Sequence, residues 1–319
     1  MHMVNFCSSL VHDINFEPTA VQPCCDVHGV EVPRFPFIGG RLDMAAYAAH
    51  IEKSFQRLQA SEDKLCRNCP ELKEIADNNA GNIRILFRTV SINMHRHLCN
   101  CKCVYCNLWR GKGKGYPIMP VLQSLHEQHA LHPRCLFSWG GGEPSILHDF
   151  DEASLWIREH GWWQYVHTSC LRFSPAIATL LHEGLGGINV SLDSGTPSTY
   201  EWVKGLNGFA KVCENLERYM SGALIPDDVH LKYIIFELNN SPAEIKAFLA
   251  FCAQLGISNV QYSLNFQELN GAGPSLKTLL GAAFFQFLAT EMNMKCAPSF
   301  IPPKWQQAID ELRVEHFPA

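Results

Sequence analysis

Positive charge is scarce in this sequence: 26 Lys and Arg stand against 31 Asp and Glu, a formal net charge of −5 over 319 residues. A nucleic-acid binder needs a basic footprint to neutralise phosphates, so no nucleic-acid partner is expected. Long hydrophobic runs are missing too. The longest apolar stretch, residues 279–289, is interrupted by Gly281 and Gln286 and falls short of the ~20 residues of a membrane span. The opening MHMVNFCSSLVHD lacks the basic and apolar regions of a secretory signal. There is no internal repeat and no low-complexity tract. The expectation is a cytoplasmic protein in a reducing compartment, with no membrane partner.

Cysteine, by contrast, is abundant. A chain of this length can bury a sizeable core without disulfide staples, and several of its fourteen cysteines lie in tight clusters. Metal or cluster ligation is the natural reading.

Three segments are expected. Residues 1–82 are broken by Pro18, Pro23, Pro33, Pro36, Gly39 and Gly40 and hold one helical stretch over 42–59, which suggests a small, irregular, cysteine-rich module. Residues 83–270 alternate short β-rich runs with amphipathic stretches, the pattern of βα units around a parallel sheet. Strands are placed near 83–91, 134–139, 163–168, 187–192, 229–236 and 258–264. Helices fall near 118–130, 150–160, 175–183, 198–221 and 242–255, with another over 275–293. Six units are too few for a closed eight-stranded barrel, so the fold class is α/β, as a partial (β/α)6 barrel. Residues 271–319 read as a helical extension.

The chemistry gathers after the first of these strands. Residues 91–109, SINMHRHLCNCKCVYCNLW, put four cysteines within eight positions. Cys99, Cys103 and Cys106 form Cys-x3-Cys-x2-Cys, close enough for one loop to wrap an iron–sulfur cluster. A zinc site is the alternative, since thiolates suit both metals and Cys101 would complete a set of four. After the second strand comes Ser138-Trp139-Gly140-Gly141-Gly142-Glu143-Pro144, where glycines let the backbone approach a ligand and Glu143 offers an acceptor to an amine.

Together these motifs resemble the radical S-adenosylmethionine (SAM) superfamily. The resemblance implies that Cys99, Cys103 and Cys106 hold a 4Fe-4S cluster, with Tyr105 the aromatic residue before the last cysteine and Cys101 a bystander. It implies that Gly140, Gly141, Gly142 and Glu143 hold the amino group of SAM. Ser191 and Asp193, in residues 190–195, resemble the segment that contacts the ribose and carboxylate of SAM. Lys204 stands where relatives often carry arginine; it lacks the bidentate fork, and a solvated helix charge is its alternative. The implied activity is reductive cleavage of SAM to a 5′-deoxyadenosyl radical that abstracts hydrogen from a substrate. An electron donor such as flavodoxin or ferredoxin is the implied partner.

Five more thiols, Cys7, Cys24, Cys25, Cys66 and Cys69, fall in the first seventy residues. Their arrangement resembles the SPASM-type auxiliary-cluster modules of radical SAM proteins, displaced to the front of the barrel. It implies a second 4Fe-4S cluster on Cys7, on Cys24 or Cys25, and on Cys66 and Cys69, with a four-cysteine zinc site as the alternative. Analogy with relatives bearing such modules suggests a peptide or protein substrate, modified or epimerised. A small metabolite is the second choice, and a non-catalytic iron–sulfur or zinc-binding interaction protein the third. Cys170, ending the third strand, is a candidate catalytic thiol that returns a hydrogen atom to the substrate; a small buried hydrophobe is its plainer reading.

Overall fold

The computed structural model describes residues 3–24, 30–60, 65–67, 69, 71–76, 84–113 and 115–318. The chain divides into two compact units, residues 1–98 with 112–165, and residues 99–111 with 166–319.

In chain order the first unit holds β1 (Met3–Phe6), α1 (Ser9–His12), β2 (Asp13–Phe16), β3 (Ala20–Gln22), β4 (Phe35–Pro36) and α2 (Met44–Gln59). It continues with β5 (Lys73–Ala76), β6 (Phe87–Ile92), α3 (Ile118–Glu127), β7 (Leu131–Trp139) and α4 (Phe150–Glu159). The division falls within β8 (Trp163–Thr168). The second unit begins with α5 (Pro175–Glu183), β9 (Gly186–Ser191), α6 (Pro197–Lys204), α7 (Phe209–Gly222) and β10 (Val229–Ile235). It ends with α8 (Pro242–Gln254), β11 (Asn259–Leu264), α9 (Phe266–Leu269), α10 (Leu276–Glu291), β12 (Lys295–Pro298) and α11 (Pro303–His316).

Each strand from β6 to β11 is followed by a helix, so the six expected βα units are present. Pairing is parallel for β6 with β7, and for β10 with both β9 and β11. Local chemistry sets the helix ends. Ser174 accepts from the Ile177 N–H ahead of Pro175, and Gly184 closes α5 at φ +66°, a Ser-Pro start and a left-handed glycine stop. Gly205, at φ +71°, likewise ends α6. The single helix expected over 198–221 is therefore two.

Two expected boundaries do not match the observed division. β2 pairs in parallel with β6, β3 pairs with β2 and β4 with β3, so the amino-terminal segment extends the sheet of the first unit instead of standing apart as a module over 1–82. Its strands are two to four residues long and interrupted by proline, too short to show a period. At the other end, β12 adds a parallel strand beside β11, so residues 271–319 are not purely helical.

The outer face of β9–β11 is apolar. Val190, Leu231, Tyr233, Ile235, Tyr262 and Leu264 are all fully buried there. Tyr233 packs on Phe248 of α8 and on Phe285 of α10, which also meets Tyr262. Each such side chain contributes about 1.5–3 kcal/mol by burial, and the helices are held to the strands by this row.

Candidate functional site

The cysteine loop lies in the second unit, laid along the end of α6. The Lys102 N–H donates to the Lys204 carbonyl at 2.9 Å and the Val104 N–H to the Val203 carbonyl at 3.0 Å. Gly205 lets the loop come this close: a Cβ there would sit 3.0 Å from the Lys102 Cβ and 3.1 Å from its carbonyl oxygen. Trp109 Nε1 donates to the Cys103 carbonyl, and Ser169, just after β8, donates to Asn100 Oδ1 at 3.0 Å.

Beneath the loop is a buried polar knot. Asp193 is fully buried at φ +57°. One carboxylate oxygen accepts the Ile234 N–H at 2.7 Å; the other accepts the Tyr105 hydroxyl and the Lys204 ammonium. Lys204 also donates to the Tyr105 hydroxyl at 2.9 Å. Lys204 is 2% exposed, which removes the reading as a solvated helix charge. Burial opposes its charge, yet Asp193 and the Cys103 and Cys101 thiols hold its pKa above the ordinary lysine range. The Tyr105 ring packs against Phe236, Val203 and Ile234. Tyr105, Asp193 and Lys204 thus come together as the fastening of the loop. Both carboxylate oxygens of Asp193 are engaged in these internal bonds.

The thiols divide by burial. Cys99, Cys103 and Cys106 keep partial exposure, while Cys101 is buried. Cys101 is hydrogen-bonded to Cys103 and Cys99, which raises its pKa. The same Cys101 bond brings Cys103 down to about 6 against the pull of burial. Burial raises Cys106, with Cys103 and Cys99 among the groups acting on it. Three partly exposed sulfurs on one loop match the donor type a cubane takes. No group of three or more His, Cys, Asp or Glu among the described residues is arranged to hold a metal ion; a cubane takes each thiolate on a separate iron.

The glycine turn lies in the first unit. Gly141 and Gly142 have φ of +62° and +107°. A Cβ on Gly141 would lie 2.8 Å from Asn93 Oδ1, and one on Gly142 would collide with the Leu98 carbonyl oxygen. The Glu143 N–H donates to that same carbonyl at 2.8 Å, one residue before Cys99. Glu143 is 1% exposed and accepts from the Ser145 N–H and hydroxyl at 3.2 and 2.6 Å. Behind the turn, Arg96 pairs with Glu17 at 2.8 Å, Asn15 donates to Glu17, and Asn93 donates to Asn15. Sequence reading missed Asn15, Glu17, Asn93 and Arg96 because they meet only through the β2–β6 pairing.

Ser191 ends β9 and is half-buried. Cys170 is 0% exposed at φ +60°, with its carbonyl held by Asn215 Nδ2 at 2.8 Å. Its thiol acts on Tyr200 together with the Cys101 and Cys103 thiols of the loop.

Cys7, Cys24, Cys66 and Cys69 line one cavity of about 270 Å³ in the first unit, with Asp13, Asn15, Thr89 and Ser91 of β2 and β6 also on its wall. Burial first, then Cys24, Cys7 and Cys69, push Cys66 up to about 12. Cys25 lies outside the described residues.

Residues 94–252 match the profile of the Radical SAM superfamily. They constitute a radical SAM domain, and the class so defined is one of enzymes. In sequence, the chain is 23% identical over 169 residues to a probable GTP 3′,8-cyclase of Saccharolobus islandicus, covering 51% of this chain and 53% of that protein. It is 26% identical over 172 residues to the probable GTP 3′,8-cyclase of Sulfolobus acidocaldarius, covering 51% and 52%. The match spans about half the length of these relatives. In structure, it is similar to Streptococcus suis SuiB bound to precursor peptide SuiA, with TM-score 0.56 and 13% identity over 86% of this chain and 58% of that one. It is also similar to anSMEcpe with bound AdoMet, with TM-score 0.53 and 17% identity over 66% and 61%. At these identities the structural likeness is one of fold.

Proposed function

We propose that the chain cleaves SAM reductively and abstracts hydrogen from a peptide substrate. The observation that carries this reading is the loop over 99–106, which presents Cys99, Cys103 and Cys106 and turns Cys101 inward. These three cysteines would hold a 4Fe-4S cluster and leave one iron without a protein thiolate. Bound there with SAM and reduced by a flavodoxin or ferredoxin, the cluster supplies the electron that splits a carbon–sulfur bond into methionine and a 5′-deoxyadenosyl radical.

The protein's part is positioning and exclusion of water. Gly140, Gly141 and Gly142 give a bare backbone for the methionine end of SAM, and Glu143 supplies the negative charge for its amino group. Ser191 offers a hydroxyl for the ribose. Asp193, Lys204 and Tyr105 keep the loop in place, and we assign Cys170 to packing. Cys7, Cys24, Cys66 and Cys69 would hold a second cluster, a reading supported by their common cavity.

The peptide assignment draws on SuiB, described in complex with a precursor peptide. A small-molecule substrate is the second reading, favoured by the sequence relatives called probable GTP 3′,8-cyclases. The test is electron paramagnetic resonance of the reduced, reconstituted chain. SAM should change the signal of the loop cluster; a spectrum indifferent to SAM would remove the proposal.

A further inference from the structure

Parallel strands are ordinarily apolar on both faces, because both faces are covered. β9, β10 and β11 depart from this. Opposite the apolar row, Asn189, Ser191, His230, Lys232, Gln261 and Ser263 are polar, with Ile234 the apolar residue among them. The parallel registers set Lys232 beside Ser191 on one side and Gln261 on the other. His167 of β8 belongs to the same row, since Lys232 and His230 are the charged groups that act on it. Solvent reaches the row at His167, which is exposed.

Most of these groups are tied to one another. Asn189 donates to Gln261 Oε1 at 2.9 Å, the Gln261 amide stands 3.4 Å from His230 Nδ1, and His230 Nε2 lies 2.9 Å from the Asp227 carbonyl. Lys232 is different. It is 9% exposed, and among the described residues no carboxylate lies within ion-pair distance of its ammonium. Its contacts are Ser299 Oγ at 3.4 Å and the Phe300 ring, whose centroid is 5.2 Å away. Asp193, the acidic group that acts on it, is already committed to Lys204. Asn189 Oδ1 and Ser263 Oγ, in the same row, are buried without hydrogen-bond partners. A buried ammonium without a counter-charge is costly to the fold, and an arriving anion would offset that cost.

We infer that Lys232, flanked by His230 and Gln261, is a subsite for an anionic oxygen group of the substrate, a carboxylate or a phosphate. This rests on the proposed function only for the identity of the molecule that carries the anion. The subsite would set specificity, fixing one end of a substrate by its charge while the reacting carbon is held elsewhere.

The test is calorimetric titration of the reconstituted full chain, and of Lys232→Met and Lys232→Gln, with three probes. These are inorganic tripolyphosphate, an end-blocked tripeptide with a central glutamate, and the same peptide with glutamine. At least one anionic probe should bind the wild-type chain at one site, the glutamine peptide should not, and both variants should weaken the binding by at least about tenfold, the loss expected of a charge-assisted hydrogen bond. The preferred anionic probe tells phosphate from carboxylate. In thermal melts the same probe should raise the melting temperature of the wild-type chain but not of the variants. Absence of binding by both anionic probes, or equal binding by whichever variants keep their circular dichroism, would overturn the subsite. The proposed function is read separately, from 5′-deoxyadenosine formed by the wild-type chain, so either can fail alone.

Discussion

Lys204 and Asp193 form an ion pair in which the two side chains are 3% and 0% exposed, and it joins the end of α6 to the segment after β9. Through Tyr105, which donates to the same carboxylate, the pair also fixes the cysteine loop. Removing one partner of such a pair leaves a buried uncompensated charge, at a cost of about 3–5 kcal/mol. Lys204→Met should lose stability by that order in urea unfolding, and Lys204→Met with Asp193→Asn should recover part of it. A single variant within about 1 kcal/mol of the wild type would show that the pair does not fasten the loop.

Gly142 and Glu143 should separate by experiment. Gly142→Ala puts a Cβ against the Leu98 carbonyl at φ +107°, a strain of about 1–3 kcal/mol, so both stability and SAM affinity should fall. Glu143→Gln keeps an oxygen for the Ser145 cap and removes only charge. Its visible absorbance should persist while SAM binding weakens about tenfold or more. Loss of the absorbance in Glu143→Gln would make Glu143 a structural residue.

His167 gives a pH signature with a definite sign. Although its side chain is open to solvent, desolvation by the protein packed around it, with Lys232 and His230, lowers its pKa from 6.5 to about 4. Between those values the unfolded chain binds a proton that the folded chain refuses, so this residue makes stability fall as pH falls from about 6.5 toward 4. Above 6.5 it has no effect. His167→Gln should flatten that part of the urea-midpoint profile, and nuclear magnetic resonance should find His167 neutral at pH 5. A titration near 6.5 would contradict its placement beside Lys232.

Iron counting tests the amino-terminal thiols. With two clusters, reconstituted protein should hold about eight irons per chain, by the four-iron content of each cubane. Changing Cys99, Cys103 and Cys106 together to Ala should leave about four, with a signal indifferent to SAM. One zinc and almost no iron in that triple variant would make the cavity a zinc site.

The order of the βα units was legible because the strands β6 to β11 and most of the helices between them are long enough to show their period, and several helices carry their own caps, as Ser174, Pro175 and Gly184 do for α5. The cysteine loop and the glycine turn were legible because their residues are contiguous. Other features were not. β2, β3 and β4 are too short to register, and the Asn15–Glu17–Arg96 network depends on pairing across more than seventy residues. The burial of Lys204 could not be read from its helix, since its partners come from the end of β9 and from the loop itself.

The most direct measurement is anaerobic reconstitution with iron, sulfide, SAM and dithionite, followed by quantitation of 5′-deoxyadenosine. The wild-type chain should form it, Cys99→Ala, Cys103→Ala and Cys106→Ala should each abolish it, and Cys101→Ala should keep a substantial rate. No 5′-deoxyadenosine from a fully iron-loaded wild-type chain, or an active Cys99→Ala beside an inactive Cys101→Ala, would contradict the assignment.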